Sequence, residues 1–507
     1  MSFKIAFIGA GSVAFTRRLL ADLMTVPAMH NIEVSFTDIT QENLDMVTQL
    51  CQRDMDKNGV NINIHATLDR REAFRDAKYI ICCIRQGMLE AFETDIEIPL
   101  KYGIDQCVGD TLCAGGIMYG QRGIAEILEI CKDIREVARP NVIMLNYANP
   151  NAMITWAANK YGGVNTIGLC HGVQSGHHQI AAAFGLTRDD VDIVCAGINH
   201  QAWYISIKHN GKDLLSEMLE KYESDDELSS TEKVRIDVLR NFGYYSTESN
   251  GHLSEYLAWY RKRPDEVENW ISLNSWIMGE TGGYLRVCRE GRNWFETDFP
   301  NWLKEPAFSF DKGERSDEHG SYIIESLETG TCYRGHFNVM NNGCITNLPA
   351  ECVVEVPGYI DANGVNIPQV GDLPLGPAAI CSQSAWVQRL AVEAAVYGDI
   401  KLLRQAMLMD PLTGAVCNPA EIFQMIDEML IVQAKWLPQY KDEIEKAKMR
   451  FSNSDAFVPP RDYKGVRQEE KTVEEMRMYE EEARANAQNA DKAKIRPAVK
   501  RPMRRKL

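Results

Sequence analysis

Long apolar runs and an excess of positive charge are both lacking in this sequence. No stretch approaches the roughly 18 uninterrupted apolar residues of a membrane-spanning helix, so we predict no membrane association. Lysine and arginine number 55 against 71 aspartate and glutamate residues, which gives a net charge of −16. Because so acidic a surface repels phosphate backbones, nucleic acid is not expected as a partner.

An export signal is lacking as well. The first residues, MSFKIAFIGAGS, have no basic lead and reach a glycine before any long apolar segment forms. They are typical of a first β-strand. The 14 cysteines have no paired framework spacing, so we predict reduced thiols, most of them buried, in a cytoplasmic protein.

The 507 residues are too many for one ordinary core, so we predict two tightly joined domains and a tail. In residues 1–200, short apolar runs alternate with segments of helical spacing, which predicts an α/β domain built on a doubly wound parallel sheet. Residues 201–450 mix helices with strand-like pieces broken by glycine and proline, which predicts a second, α+β domain for substrate binding and oligomerisation. The strands predicted in the first domain are 4–9, 31–38, 78–84, 141–147, 165–170 and 192–200.

Residues 451–507 form a charged tail. The segment 467–487 has a helical pattern rich in glutamate, arginine and lysine, and eight lysines or arginines fall in 492–507. We predict a solvated helix followed by a disordered end. A binding arm for an acidic partner or for a neighbouring subunit is the alternative.

A glycine-rich turn follows the first predicted strand and opens a helix. Gly9 permits a tight turn, and Gly11, followed by Ser12, allows the backbone to approach a pyrophosphate at the helix N-terminus. The second strand ends in Asp38, whose carboxylate can accept hydrogen bonds from an adenosine ribose and repels a 2′-phosphate. The pattern predicts a dinucleotide site and favours NAD over NADP. Two nearby arginines, Arg17 and Arg18, leave the choice between NAD and NADP open.

Asparagine, cysteine and histidine side chains follow three further predicted strands. Asn149, Cys170 and His200 each stand at a predicted carboxyl end, where open α/β sheets bind ligands. A cysteine thiolate and a histidine nitrogen are suitable ligands for a divalent ion, with substrate oxygens and water completing its coordination. Since their spacing is not specific, ordinary packed cysteine and histidine side chains are the alternative.

An ordered set of motifs resembles glycoside hydrolase family 4 over about residues 3–440. The motifs are GAGSVAF, DTLCAGGIMYGQR, LNYANP, GLCHGVQ, GINHQAW, TNLP and MDPLTGAV. Within the family, the chain is most similar to the melibiose-cleaving α-galactosidases in FGYYSTESNGHLSEY, CVVEVPGYIDANG and KWLPQY. The resemblance implies a Rossmann-like first domain of the lactate and malate dehydrogenase type.

The resemblance also implies a reaction. Family members are glycosidases that need NAD and a divalent cation, usually Mn²⁺, in place of the two carboxylates of most glycosidases. NAD takes a hydride from C3 of the sugar, and the resulting ketone acidifies the proton at C2. Loss of that proton, departure of the glycosidic oxygen, addition of water and return of the hydride complete the cycle. For this chain the implied substrate is a melibiose-type α-galactoside.

Several residues take roles from the resemblance. Cys170 and His200 are implied to hold the metal, which can chelate the oxygens on C2 and C3 of the sugar. Asn149 is placed against the substrate beside the metal and against the cofactor. His171, next to the metal cysteine, is the candidate acid for the departing alcohol, because histidine titrates near neutrality.

The C2 base and the sugar pocket are less closely defined. His252 and Tyr256 are the candidate bases, in the region that corresponds to a tyrosine of the phospho-glycosidases. Asp110 and Arg122 are predicted to line the pocket. Family members commonly have an arginine where Tyr119 stands, so the exact sugar is open.

Several alternatives to an α-galactosidase follow. A same-family α-galacturonidase, α-glucosidase or phospho-glycosidase is the first. A simple NAD-dependent dehydrogenase and a non-enzymatic NAD sensor are the others. The aromatic-rich middle segment and the resemblance predict a homodimer or homotetramer.

Overall fold

The computed structural model describes residues 3–273, 278–291, 298–452, 458–479 and 481–482. Residues Met1–Leu285 and Ala307–Gln468 form one compact unit, and Arg286–Pro306 with Glu469–Leu507 form a second. The second unit includes a helical segment at residues 473–479. No helix in the described ranges combines the length and the hydropathy needed to cross a membrane.

The large unit is built on a single sheet. Its described strands are β1 Lys4–Ile8, β2 Glu33–Thr37, β3 Ile64–Thr67, β4 Ala77–Cys82, β5 Ile143–Asn146, β6 Asn165–Gly168, β7 Asp192–Ile198, β8 Gln201–His209, β9 Lys212–Asp213, β10 Tyr245–Ser246, β11 Tyr333–Met340, β12 Val353–Asp361 and β13 Gly364–Asn366. They lie in the order β10-β8-β7-β12-β11-β6-β5-β4-β1-β2-β3, with β13 on β12 and β9 on β8.

Helices account for much of the rest of the described chain. Those in the described residues are α1 Val13–Met24, α2 Gln41–Lys57, α3 Arg70–Phe74, α4 Met88–Lys101, α5 Cys113–Val137, α6 Asn151–Lys160, α7 Gly172–Ala183, α8 Leu215–Ser224, α9 Asp226–Thr231, α10 Lys233–Phe242, α11 Asn250–Tyr256, α12 Gly283–Gly291, α13 Phe299–Trp302, α14 His319–Thr329, α15 Leu375–Tyr397, α16 Ile400–Met409, α17 Pro411–Val416, α18 Pro419–Val432 and α19 Lys441–Ser452.

The first half of the chain forms the predicted doubly wound sheet. Strands β3-β2-β1-β4-β5-β6 are all parallel, which is the Rossmann order. Alternate residues of these strands enter two separate cores, with Ile80 and Met144 in one and Ile81 and Leu145 in the other. Because both faces are covered, the strands are continuously apolar, and this property made them predictable. The predicted α/β fold class is confirmed.

The second half extends the same sheet with antiparallel strands. β11 pairs with β6, β12 with β11, β7 with β12 and β8 with β7, all antiparallel. The predicted domain boundary near residue 200 falls in the short connection between β7 and β8, which are neighbours in one sheet. The backbone therefore does not separate into two sheets at that position.

A row of paired residues crosses the sheet at the ends of β6 and β7. Gly168 of β6 pairs with Asn338, Asn338 with Glu355, and Glu355 with Gly197 of β7. β6 and β7 both end within one residue of this row. The segments that follow β6 and β7 therefore both begin next to this row of residues. This holds even though β7 belongs to the antiparallel part of the sheet.

The predicted tail helix begins later than the sequence pattern suggested. Residues 473–479 and 481–482 are helical, whereas 458–472 are not. The predicted disordered end lies outside the described residues.

Candidate active site

The glycine-rich turn between β1 and α1 has the geometry of a dinucleotide cradle. Gly9 has φ +78°, and a Cβ there would lie 2.7 Å from the carbonyl oxygen of Cys83. The N–H of Gly11 donates to Asp38 Oδ2 at 2.8 Å, and a Cβ on Gly11 would lie 2.9 Å from that same oxygen. The turn lies at the N-terminus of α1, the kind of position at which helices bind pyrophosphates, with Ser12 as the N-cap.

Cys170 and His200 are brought together, and a third donor joins them. Cys170 follows β6, and His200 follows β7 through a cis peptide bond with Asn199. Their ligand atoms and a carboxylate oxygen of Glu248 all lie within 4.8 Å of one another. Sequence reasoning missed Glu248, which follows the two-residue strand β10.

These three side chains suit a divalent cation. Burial raises the pKa of the Cys170 thiol well above its ordinary value, and burial also lowers the pKa of His200. Burial opposes ionisation of Glu248, but the nearby His200 and His252 hold its pKa below the usual range. A neutral imidazole, a carboxylate and a thiol that a bound cation converts to thiolate are suitable ligands for such an ion.

A hydrogen-bonded chain fixes the orientation of the His200 ring. Thr111 Oγ1 lies 2.8 Å from Asp110 Oδ1 and 2.7 Å from His200 Nδ1. Since an ionised carboxylate cannot donate, the threonine hydroxyl donates to Asp110 and accepts from His200 Nδ1–H. The proton of the His200 ring is therefore on Nδ1, and Nε2 carries no proton, so its lone pair can bind a metal ion. Metal-binding histidines are commonly oriented in this way by a second residue.

Asp110 also connects two other predicted site residues. Asn149 Nδ2 donates to Asp110 Oδ2 at 2.8 Å, and His252 Nε2 lies 4.0 Å from Asp110 Oδ1. The His200 and His252 rings have centroids 5.2 Å apart. Three residues singled out from the sequence, Asn149, His200 and His252, therefore lie around a fourth, the buried Asp110.

The two candidate bases differ in access. The Tyr256 side chain is fully buried, and burial raises the pKa of its hydroxyl well above the ordinary value. His252 presents Nε2 toward Asp110, while its Nδ1 lies 3.0 Å from Ser249 Oγ. The geometry favours His252, because a base must reach the substrate proton.

His171 is exposed at the entrance to the cluster. Its side chain is 58% exposed, and its Nδ1 lies 3.6 Å from Glu318 Oε1. Sequence reasoning missed Glu318, which directly precedes α14 and is 147 residues away along the chain.

Arg122 lies apart from this cluster in a buried ion pair. Its guanidinium donates to both carboxylate oxygens of Asp95 at 2.8 and 2.6 Å and to Gln433 at 2.7 Å. The side chain is 1% exposed. With these donors engaged, its placement favours a structural role between α4 and α5 over the predicted contact with sugar.

Glu255 of α11 supports the loop that leads to Asp110. Its carboxylate accepts the backbone N–H groups of Cys107 at 2.6 Å, Val108 at 3.0 Å and Gly109 at 3.0 Å. The loop conformation therefore depends on a buried carboxyl group, whose pKa burial raises to about 7, on the same helix as His252.

Glu255→Gln is expected to lower the free energy of unfolding by about 2–4 kcal/mol, because an amide NH₂ would face backbone donors and leave one unpaired. Chemical denaturation of the variant and the wild type measures the difference. The exposed Glu220→Gln is the control and should remain within about 0.5 kcal/mol. Equal stability of Glu255→Gln would show that the three N–H contacts do not maintain the loop.

Comparison with known proteins identifies the family. Two sequence profiles match the chain, that of the family 4 glycosyl hydrolases over residues 4–186 and that of the family 4 glycosyl hydrolase C-terminal domain over residues 195–413. An α-galactosidase of Rhizobium meliloti (strain 1021) is 53% identical over 488 residues, which are 96% of this chain and 99% of the relative. The chain belongs to glycosyl hydrolase family 4. The resemblance drawn from the motifs is confirmed.

Two further similarities extend this result. An α-galactosidase of Bacillus subtilis (strain 168) is 34% identical over 440 residues, which are 86% of this chain and all of the relative. The 6-phospho-β-glucosidase of Thermotoga maritima, solved with manganese, NAD⁺ and glucose-6-phosphate, matches with a TM-score of 0.69 at 23% identity, over 86% of this chain and 99% of that one. As a member of family 4, this protein is a glycoside hydrolase.

Proposed function

We propose that this family 4 hydrolase is an α-galactosidase that cleaves melibiose-type sugars with the help of NAD and a divalent cation, for which Mn²⁺ is our choice. The observation that carries the proposal is the meeting of Cys170 and His200, with a carboxylate beside them, in a chain 53% identical to an α-galactosidase. The Thermotoga maritima structure with manganese and NAD⁺ supports the same cofactors.

When bound, NAD would accept a hydride from C3 of the sugar and return it, and the cation would polarise the oxygens on C2 and C3. The chain's own residues hold these groups in place. The Gly9–Ser12 turn binds the dinucleotide, Asp38 accepts from its ribose, and Cys170 and His200 hold the cation. Asn149, oriented by Asp110, donates to the sugar.

Two histidines carry the protons in this proposal. His252 Nε2 removes the proton from C2 of the sugar, and Asp110 stabilises the imidazolium that results. His171, whose Nδ1 lies 3.6 Å from Glu318 Oε1, donates to the glycosidic oxygen as the alcohol departs. The two roles suit their positions, because His252 lies in the buried cluster and His171 at the exposed side, where a leaving group departs.

The cellular setting follows from the same proposal. A family 4 enzyme with a buried thiol ligand suits the reducing cytoplasm, where the thiol escapes oxidation. We propose a homodimer or homotetramer acting on a small sugar. The relationship to two α-galactosidases favours hydrolysis of a galactoside over the uronide, glucoside and phospho-glycoside alternatives and over a simple dehydrogenase.

Turnover of 4-nitrophenyl α-galactoside is expected to require NAD, Mn²⁺ and reductant together, and to stop when any one is omitted. In deuterated water, the galactose product should carry deuterium at C2, because a base removes the C2 proton and solvent returns it. Mass spectrometry and proton NMR of the product measure this incorporation.

The matched glucuronide, galacturonide, glucoside and 6-phospho-glycosides are the controls. If the enzyme cleaved only one of these control substrates, the proposed α-galactoside substrate would be contradicted. Net accumulation of NADH would indicate a dehydrogenase. Hydrolysis without C2 exchange would contradict the mechanism.

A further inference from the structure

Glu248 lies within the FGYYSTESNGHLSEY motif, but no metal role was predicted for it from the sequence. Its Oε1 lies 3.3 Å from Cys170 Sγ, and its carboxylate shares the 4.8 Å cluster with the ligand atoms of Cys170 and His200. Two ligands about 2.3 and 2.1 Å from one ion, at angles of 90–109°, are separated by about 3.1–3.6 Å. The observed sulfur–oxygen distance falls inside this range.

The backbone aims this carboxylate at the thiol. Glu248 has φ +68°, a left-handed conformation that non-glycine residues adopt infrequently. Such conformations cost free energy and persist where the surrounding structure requires them. The side chain is partly exposed, as expected for a group that lines an accessible site.

The glycine after Cys170-His171 makes room for the carboxylate. A Cβ on Gly172 would lie 1.5 Å from Glu248 Oε1. Gly172 is the first residue of α7, where its backbone conformation is compatible with alanine. The absence of a side chain there is therefore explained by the space that Glu248 fills.

We propose that Glu248 is a third protein ligand of the divalent cation, together with Cys170 and His200. This inference rests on the proposed function. A carboxylate favours a hard ion such as Mn²⁺ over softer ions that thiolates select. In an octahedral ion, three protein donors leave three positions, which are enough for the two sugar oxygens and one water.

The first test measures Mn²⁺ binding without sugar, by electron paramagnetic resonance titration of the full-length protein. Glu248→Gln, which keeps the size of the side chain, is expected to weaken Mn²⁺ binding at least about tenfold. Gly172→Ala should weaken it in the same direction, because the new methyl group displaces the carboxylate. Glu220→Gln, which alters an exposed carboxylate of α8, is the control and should bind Mn²⁺ like wild type.

Several outcomes separate this inference from the proposed function. Wild-type Mn²⁺ affinity in both Glu248→Gln and Gly172→Ala would overturn the third ligand and leave the proposed function intact. If the wild-type protein itself did not bind Mn²⁺, both the third-ligand proposal and the metal dependence in the proposed function would be contradicted. If Glu248→Gln does not fold, a crystal structure of wild type with Mn²⁺ decides. A Glu248 oxygen within about 2.4 Å of the ion supports the ligand, and one beyond about 3.5 Å overturns it.

Discussion

Cys170→Ser is expected to lower kcat/KM for an α-galactoside by about 10³-fold or more, equivalent to about 4 kcal/mol of transition-state stabilisation. Serine keeps nearly the same volume at this buried position, so the fold should persist. What is lost is the thiolate, since a hydroxyl next to Glu248 and His200 is a far weaker ligand at neutral pH. Steady-state kinetics at saturating NAD and Mn²⁺ measures the effect.

Two measurements distinguish loss of the metal from general damage. NAD affinity, followed by tryptophan fluorescence, should not change, because the Gly9–Ser12 turn follows β1 and Cys170 follows β6, with β4 and β5 between these two strands in the sheet. Cys332→Ser alters an exposed cysteine and should leave both activity and its dependence on reductant unchanged. If Cys170→Ser retained activity within tenfold of wild type, the thiolate could not be an essential ligand.

The cofactor half of the fold could be predicted because its signals are local. The strand, the glycine turn and the helix that follow one another from Lys4 to Met24 are contiguous in sequence. Apolar runs buried on both faces identify the parallel strands directly. Only the partner of the Gly11 N–H, Asp38, is distant, and it could be found because it ends the next strand.

The site could be predicted only in part, because its remaining contacts join distant segments. Glu248 is 78 residues from Cys170 and follows a strand of two residues, which has no detectable pattern. Arg122 looked like a sugar ligand because nothing in the sequence shows that Asp95, on a neighbouring helix, neutralises it. In the sequence, an arginine of a buried ion pair looks the same as an arginine that binds a ligand. Only the packing around the side chain distinguishes the two.

The charged tail presents the same difficulty, since its first part contacts the main unit. Residues 458–468, here called the strap, form neither helix nor strand and belong to the large unit. The N–H of Arg461 donates to the carbonyl oxygen of Lys101 at 2.7 Å, and Val466 exchanges two hydrogen bonds of 2.8 Å with Thr281. A solvated tail has no such contacts.

The strap also touches a buried network that leads to the site. Tyr463 donates its hydroxyl to Asp105 Oδ2 at 2.5 Å, and Asp105 forms a fully buried ion pair with Arg261. Arg261 in turn donates to Ser254 Oγ at 3.2 Å. Ser254 belongs to α11, which carries His252. The strap thus supports, through three side chains, the helix that orients the proposed base.

A chain that ends after Ser452 is therefore expected to lose about 4 kcal/mol or more of unfolding free energy, and about tenfold or more in kcat. It lacks the strap's hydrogen bonds, each worth about 0.5–1.5 kcal/mol, and leaves the Asp105 carboxylate short of one donor in a buried setting. Denaturant unfolding and kinetics of the purified chain measure both effects.

The matched control ends after residue 482, which keeps the strap and removes the basic end. It should unfold and turn over like the full chain, because it retains Tyr463 with its hydrogen bond to Asp105, and with it the Asp105–Arg261 ion pair. Tyr463→Phe isolates one of those contacts and should cost about 1.5–3 kcal/mol, since the lost hydrogen bond is to a charged group. Equal stability and turnover of both truncated chains would mean that α11 keeps its position without the strap, and that Arg261 alone satisfies the Asp105 carboxylate.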